Sequence, residues 1–419
     1  MTATTTDTSP SWVEVARADA VTTTPQQVDL GGRQWALLRL TPDGPAVLFP
    51  NACPHRLVPL SAATVVDGRL QCPYHGWEFA ADGACEVVPS LGPDANIPPR
   101  AHLDPVPTLV ERDGFVYARA RDLAADVLEP GESVDNTDER MLHGWHIVAL
   151  SDEVTATAYE AALIDRTYTL TRNADGTITV TPDVYDVTEK WGSVWIAPLE
   201  PYTQIFEDPD DEDLNYVGAW LPPVVTNAPA GLVADNFLDV AHFPFVHKGT
   251  FGPDADKIVE PADVEQEVFG FRSIQEQAFT NPEDPGVKAG LRSAQQTRRA
   301  TYVFRAPYQL LLRLEELDAG AVKTILFFAQ PESLTRTRVY TKMLFFGIGG
   351  VERPDAEVVA NEVAFEEAVL GEDLALQQVM PNTVLPLNTR DELHVKADRL
   401  AVALRREIAR YLRYVEEVA

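Results

Sequence analysis

Cysteine is scarce in this sequence, with only three Cys among 419 residues. Three are too few for a disulfide framework, and disulfides are rare in reducing compartments. The first ten residues, MTATTTDTSP, lack the basic start and apolar stretch of a secretory signal peptide. We therefore expect a cytoplasmic protein whose cysteines act as metal ligands rather than as bridges.

Positive charge is also scarce, since 34 Lys and Arg face 64 Asp and Glu and the formal net charge is −30. Proteins that wrap nucleic acid or lie on anionic membranes need a basic surface. The sequence also lacks the run of roughly 18 apolar residues that a membrane-spanning helix requires. We expect neither a nucleic-acid partner nor a membrane partner. The hydrophobic content of 45% is that of a globular protein with a sizeable core.

Two parts of the chain differ in pattern. Residues 1–125 contain short β-like segments separated by turn residues, which predicts an all-β domain. Residues 126–419 contain longer strands and two C-terminal helices, which predicts a larger α+β domain with an antiparallel sheet. The first helix follows Pro354 and Asp355. The second carries one apolar stripe, formed by Leu400, Leu404, Ile408 and Leu412.

Two of the three Cys and two of the eight His lie in one stretch, CPHRLVPLSAATVVDGRLQCPYHGW, residues 53–77. Cys53 pairs with His55, and Cys72 pairs with His75. Thiolate suits zinc or iron–sulfur centres, and imidazole suits zinc or iron. A zinc finger groups its two Cys in one half and its two His in the other. Here each half contains one Cys and one His, which favours a [2Fe–2S] cluster with two Cys on one iron and two His on the other. A zinc site is the alternative.

The residues around both pairs resemble the Rieske motif of ring-hydroxylating oxygenases, C-x-H-R-x-x-P-L-S followed by C-x-Y-H-G-W-x-F. The resemblance implies that Cys53, His55, Cys72 and His75 hold a Rieske cluster. Cys85 falls at a position that does not bind the cluster in that family.

A second candidate metal site lies in VADNFLDVAHFPFVHKGTFG, residues 233–252. On a helix, Asp239 and His242 would share one face, and a kink at Pro244 would bring His247 back towards them. Two imidazoles and one carboxylate form the facial triad of non-haem Fe(II) oxygenases. A buried helix with incidental His is the alternative for this segment alone.

This segment resembles the motif D-N-x-x-D-x-x-H-x-x-x-x-H of Rieske oxygenases. The resemblance implies that His242 and His247 bind iron and that Asn236 and Asp239 are catalytic residues. Asp239 is then not a ligand. It connects His242 to a cluster His, here His75, of a neighbouring subunit.

The third iron ligand of the family is an Asp in a downstream helix. The stretch LGEDLALQQVM nominates Asp373, with Glu372 as its nearest rival. The other acidic residues of this helix are expected on its solvated face: Glu362, Glu366 and Glu367.

With both motifs present, the chain is identified as resembling the catalytic α subunit of a Rieske non-haem iron oxygenase. The resemblance implies a [2Fe–2S] cluster, a mononuclear Fe(II) and O2 as co-substrate. It implies electrons from NAD(P)H through a flavin reductase or a ferredoxin, and a head-to-tail homotrimer. It also implies a small organic substrate, aromatic or alicyclic. Arg56 and Arg69 lie in a nearly neutral stretch where we expect an acidic electron donor to dock.

The D-N-x-x-D spacing resembles the family members that are built from α subunits alone. It therefore favours a monooxygenase that hydroxylates or oxidatively demethylates. A cis-dihydroxylating ring dioxygenase is the alternative within the family. An alternative of another class is a Rieske electron-transfer protein with a non-catalytic binding domain.

Overall fold

The computed structural model describes residues 11–123, 131–248, 257–280, 293–380 and 382–418, together with Lys288 and Gly290. The predicted domain boundary between residues 125 and 126 lies outside the described residues. The fold is α+β, as predicted, with small β-sheets in the N-terminal part and a large antiparallel sheet with helices in the C-terminal part.

Among the described residues of the N-terminal part, ten strands form, and all of their pairings are antiparallel. They make sheets of order β1-β10-β9, β2-β3-β4 and β5-β6-β7-β8. The strands are β1 Trp12–Arg17, β2 Gln26–Leu30, β3 Arg33–Arg39, β4 Ala46–Pro50, β5 Thr64–Val66, β6 Arg69–Gln71, β7 Glu78–Phe79, β8 Cys85–Val87, β9 Leu109–Arg112 and β10 Phe115–Arg119.

The main sheet of the C-terminal part has the order β18-β25-β24-β23-β22-β21-β20, with β19 also paired to β25. Smaller sheets have the orders β12-β17-β16, β13-β14-β15 and β11-β26. The strands are β11 Ser133–Val134, β12 His146–Leu150, β13 Tyr159–Leu163, β14 Arg166–Arg172, β15 Ile178–Thr181, β16 Asp186–Lys190, β17 Ser193–Ala197, β18 Val217–Trp220, β19 Val224–Thr226, β20 Glu265–Glu267, β21 Gly270–Thr280, β22 Gln295–Arg305, β23 Gln309–Glu316, β24 Ala321–Ser333, β25 Arg336–Phe346 and β26 Leu385–Pro386.

The α-helices are α1 Pro209–Glu212, α2 Ala230–Phe237, α3 Phe243–Val246, α4 Ala356–Gln378 and α5 Arg399–Val418. Short 3₁₀ helices span Ala18–Ala20, Leu60–Ala62, Pro89–Leu91, Ala120–Asp122, Glu139–His143, Ile348–Gly350 and Lys396–Asp398. Among the described helices, none is long and apolar enough to cross a membrane.

Both predicted C-terminal helices form. The α4 helix begins after Asp355, whose carboxylate accepts hydrogen bonds from the backbone N–H groups of Glu357 and Val358. The α5 helix buries its predicted apolar stripe in the core of the C-terminal part. The reason is that residues four apart lie on one face of a helix.

The core of the N-terminal part continues into the C-terminal part. Cys53, Cys72 and Trp77 belong to one buried cluster that also includes Leu393, and Val246 of α3 packs against it. The two cysteine loops therefore lie directly against the segments that carry the second candidate metal site.

Candidate metal centres

Two loops with the same backbone hydrogen bonds present the cysteine–histidine pairs. In the first loop, the N–H of Cys53 donates to the carbonyl of Val58 and the N–H of Leu57 donates to that of Cys53, both at 2.9 Å. The matching bonds around Cys72 measure 2.8 and 3.1 Å. Each loop thus holds its own Cys and His on one short, closed turn.

The four side chains of these loops suit a shared metal cluster. Cys53 and Cys72 are buried, free thiols. The Nδ1 atoms of His55 and His75 are buried and have no hydrogen-bond partner among the described residues. The two imidazole centroids lie 4.3 Å apart. Two thiols and two unpartnered ring nitrogens in one buried space fit the ligand set of a Rieske [2Fe–2S] cluster.

Asp398 is a residue that our sequence analysis did not identify. Its Oδ1 lies 2.9 Å from Nε2 of His55, and both side chains are 2% exposed. Burial lowers the pKa of His55 to about 4, so the ring is neutral at pH 7. A neutral ring that donates its Nε2–H to Asp398 keeps the lone pair of Nδ1 for a metal. No sequence motif marks Asp398, because 343 residues separate it from His55.

Arg56 links this contact to a buried ionic network, formed by Arg56, Asp235, Glu392, Asp398 and Arg405. A guanidinium nitrogen of Arg56 lies 3.1 Å from Asp398, and its Nε lies 3.4 Å from Asp235. Arg405 binds Asp235 at 2.6 Å and Glu392 at 2.7 Å. Arg56 is only 2% exposed, so our expectation that it faces an electron donor is wrong. Its charge instead joins a cluster loop to α2 and α5.

Asp239 hydrogen-bonds the histidine of one candidate site and lies near the histidine of the other. Its Oδ2 lies 2.7 Å from Nε2 of His75, and its Oδ1 lies 3.8 Å from Nδ1 of His242. Burial opposes ionisation of this carboxyl, but the two imidazoles hold its pKa well below the ordinary value. Asp239 is therefore a buried carboxylate shared by two rings.

His75 and Asp239 of the same chain are in contact, whereas the resemblance implied a His75 from a neighbouring subunit. Close packing makes this arrangement possible. A Cβ atom added at Gly76 would lie 2.0 Å from the ring of Phe245, so only glycine lets the cluster loop approach α3 this closely.

His242, His247 and Asp373 meet at one point. The two Nε2 atoms lie 3.1 Å apart, and each lies 3.2 Å from Oδ1 of Asp373. Ligand atoms that bind a metal at roughly 2.1 Å and at right angles lie about 3 Å from one another. The three groups therefore fit the two-histidine, one-carboxylate ligand set of a mononuclear iron.

The local backbone differs from the sequence prediction. The α2 helix ends at Phe237, so Asp239 and His242 lie between α2 and α3 rather than on a helix face. Asp239 Oδ1 accepts a hydrogen bond of 2.8 Å from the N–H of Ala241, which competes with helical hydrogen bonding. Pro244 then starts the short α3 helix, and His247 directly follows it.

Polar neighbours orient the three iron-site groups. Glu372 lies 2.8 Å from Nδ1 of His247, so it contacts the triad from outside while Asp373 faces the histidines. Asn236 donates to Tyr74 at 3.0 Å and to Asp373 at 3.4 Å. Asn236 thus connects a residue of the second cluster loop to the iron site.

The electrostatics of the triad favour cation binding. Burial opposes protonation of His242, yet Asp239 and Asp373 raise its pKa to about 9. Burial likewise opposes ionisation of Asp373, whose pKa the two histidines lower. A metal ion that displaces the proton of His242 would be stabilised by the negative charges of Asp239 and Asp373.

The acidic residues of α4 do not all lie on its solvated face, which corrects the prediction. Glu362 forms an ion pair with Lys323, and Glu367 is exposed. Glu366 instead lines a small cavity next to Asp373, with a volume of about 30 Å³.

Two known domain families match parts of this chain. Residues 11–108 match the Rieske [2Fe–2S] domain family, and residues 226–413 match the vanillate O-demethylase oxygenase C-terminal domain family. A probable methylxanthine N7-demethylase of Pseudomonas sp. (strain TJI-51) is 27% identical over 277 residues, 64% of this chain and 93% of that protein.

Two further relatives are similar over different lengths. Chloroplastic chlorophyllide a oxygenase of Oryza sativa subsp. japonica is 42% identical over 80 residues, 19% of this chain and only 15% of that protein. The solved structure of NdmB from Pseudomonas putida CBB5 is 18% identical and covers 97% of this chain and 91% of that one, with a TM-score of 0.44.

We predict that Asp398→Asn shifts the reduction potential of the cluster to a more positive value. The substitution keeps the volume of the side chain but removes a negative charge that stabilises the oxidised state through His55. Redox titration followed by EPR measures the potential. Asp104→Asn is the matched control, because Asp104 lies in the same part of the chain with a 96% exposed side chain. An unchanged potential in the Asp398 variant would show that this carboxylate does not act on the cluster.

Proposed function

This chain is a Rieske oxygenase α subunit with a vanillate O-demethylase-type C-terminal domain, and we propose that it hydroxylates or oxidatively demethylates a small organic substrate. One observation carries the proposal, namely the single carboxylate of Asp239 between a histidine of the cluster loops and a histidine of the triad. An electron path and an O2-activating iron are then adjacent.

Each chain residue has a definite task in this proposal. When bound, the cluster supplies single electrons and the mononuclear iron supplies O2 activation. His242, His247 and Asp373 would hold that iron through two imidazole nitrogens and one carboxylate oxygen. Asp239 orients His75 and His242, and Asn236 orients Asp373. Glu372 fixes the ring of His247 through Nδ1.

Rieske oxygenases generally receive electrons from a reductase or a ferredoxin. We propose the same for this chain, with NAD(P)H as the ultimate donor. Arg56 is buried, so of the two expected docking residues we retain only Arg69. The Arg69 side chain is 30% exposed and forms an ion pair with Glu78 at 2.7 Å.

Demethylation is favoured over cis-dihydroxylation by the family that residues 226–413 match, whose description names an O-demethylase. The similar protein of Pseudomonas sp. is described as a probable N-demethylase. The alternative of a pure electron-transfer protein is disfavoured by the triad, because such a protein needs no second metal site.

Iron content and product analysis test the proposal. The reconstituted protein is expected to hold about three iron atoms per chain, two in the cluster and one at the triad, and the Asp373→Ala variant about two.

The reduced protein with O2 should release formaldehyde from methoxyarenes or N-methyl heterocycles. The control variant Glu367→Gln, on the exposed face of α4, should behave as the parent. Two iron atoms per chain in the parent would support the electron-transfer alternative, and cis-diol products would support a dioxygenase.

We predict that Asp239→Asn lowers turnover by about 10–100-fold while the EPR signal of the cluster remains. The Asn side chain can hydrogen-bond one ring nitrogen, but it lacks the negative charge of Asp239 that faces both imidazoles. Stopped-flow oxidation of the reduced cluster measures the step between the two sites. Parent-like oxidation rates would contradict the role of Asp239.

The oligomeric state is a separate proposal. We retain the homotrimer as our expectation, and light scattering measures it. Because His75 and Asp239 of one chain are in contact, we predict that His75→Ala and His247→Ala chains, co-expressed and purified as mixed oligomers, remain inactive. Recovered turnover would show that electrons pass between subunits.

A further inference from the structure

Tyr74 lies between the two candidate metal sites. It directly precedes His75 in the second cluster loop, and it is 4% exposed. The centroid of its ring lies 4.0 Å from that of His75 and 5.7 Å from that of His242. A buried tyrosine usually places its hydroxyl group on a hydrogen-bond partner. For Tyr74 that partner is Asn236, a residue of the iron site.

Asn236 connects the hydroxyl group of Tyr74 to the carboxylate of the triad. Its Nδ2 atom lies 3.0 Å from the phenolic oxygen of Tyr74 and 3.4 Å from Oδ1 of Asp373. An amide nitrogen carries two hydrogens, so it can donate to both oxygens at once. The same Oδ1 atom lies 3.2 Å from Nε2 of His242 and 3.2 Å from Nε2 of His247. Asn236 therefore contacts the carboxylate oxygen that faces the two imidazoles.

Two adjacent residues of the second cluster loop thus reach two different groups of the triad. Tyr74 reaches the carboxylate through Asn236, whereas His75 reaches a triad imidazole through Asp239. The remaining imidazole, that of His247, is contacted at Nδ1 from helix α4. The position of the second cluster loop therefore bears on two of the three candidate iron ligands.

Burial makes the contact between Tyr74 and Asn236 important for the position of the amide. Asn236 is 5% exposed, so an N–H that loses the phenolic oxygen is left in an interior where an unpaired donor is costly. The amide then gains by turning towards another acceptor and away from Asp373. Metal-binding carboxylates that lose an outer hydrogen bond hold their metal less tightly.

We propose that Tyr74 is a positioning residue for the iron site. Its hydroxyl group holds the amide of Asn236, and that amide holds Oδ1 of Asp373 in place for the metal. The metal affinity of the triad then depends on the second cluster loop through a connection separate from Asp239. This inference rests on the proposed function, because it requires that the triad binds a metal.

Cobalt(II) is the probe that tests the proposal, because it suits imidazole and carboxylate ligands and can be counted separately from the iron of the cluster. The protein with its cluster intact is depleted of mononuclear iron and dialysed against Co(II), and bound Co and Fe per chain are measured by mass spectrometry. Tyr74→Phe keeps the ring and removes only the hydroxyl group, so we expect the dissociation constant for Co(II) to rise about fivefold. Asn236→Ala should raise it at least about tenfold.

Tyr185→Phe is the matched control, because Tyr185 is 60% exposed and also loses only a hydroxyl group. It should bind Co(II) as the parent does. The EPR signal of the cluster should remain in all three variants.

A double variant separates positioning through Asn236 from a general loosening of the loop. If Tyr74 acts through Asn236, Tyr74→Phe combined with Asn236→Ala should bind Co(II) as tightly as Asn236→Ala alone. Independent effects would instead multiply in the dissociation constant.

The proposal fails if Tyr74→Phe binds Co(II) as tightly as the parent, or if the two substitutions multiply. In either case, one Co(II) per parent chain that is lost in Asp373→Ala would leave the proposed oxygenase function standing. A parent chain that binds no Co(II) would overturn the metal site itself and, with it, the proposed function.

Discussion

The buried carboxylate of Asp239 is the contact on which the arrangement of both sites depends. A charge with 5% side-chain exposure is stable only when it is paired, and Asp239 finds its partners in two imidazoles from distant segments. The same contact that compensates the charge also brings His75 and His242 to the two ends of one side chain. The carboxylate oxygens of Asp239 that are paired with the two imidazoles therefore also connect the two candidate sites.

The ionic network of Arg56, Asp235, Glu392, Asp398 and Arg405 forms a second connection between the cluster loops and the C-terminal part. It combines two cations with three carboxylates, so its charges nearly balance without solvent. Buried ion pairs add little net stability but penalise any other arrangement strongly, since each partner left alone is costly. The network thus favours one position of the cluster loops relative to α2 and α5. Asp398 contacts Nε2 of His55, just as Asp239 contacts Nε2 of His75. Each cluster imidazole is therefore oriented by a carboxylate at Nε2.

Helix α4 carries a candidate metal ligand and lines the small cavity beside it. Its first turn is capped by Asp355, which fixes where the helix starts and hence which residues face inwards. From that register, Asp373 faces the histidines and Glu366 and Gln377 face the cavity. A change in helix register would move the candidate iron ligand and these two cavity residues together.

The sequence alone determined the short-range features of this protein. Cys53, His55, Cys72 and His75 could be grouped because each pair lies within one tight loop, and periodicity located α4 and α5. Resemblance to the family nominated Asp239 and Asp373. The tertiary structure decided which long-range partners these residues have. Asp398 contacts His55 across 343 residues, and Glu366 faces a cavity although its spacing suggested solvent. The contact of His75 with Asp239 inside one chain depends on the close approach of Gly76 to Phe245. Local patterns encode which turn or helix a residue occupies, whereas burial and ion pairing arise only when separate segments exclude water from one another.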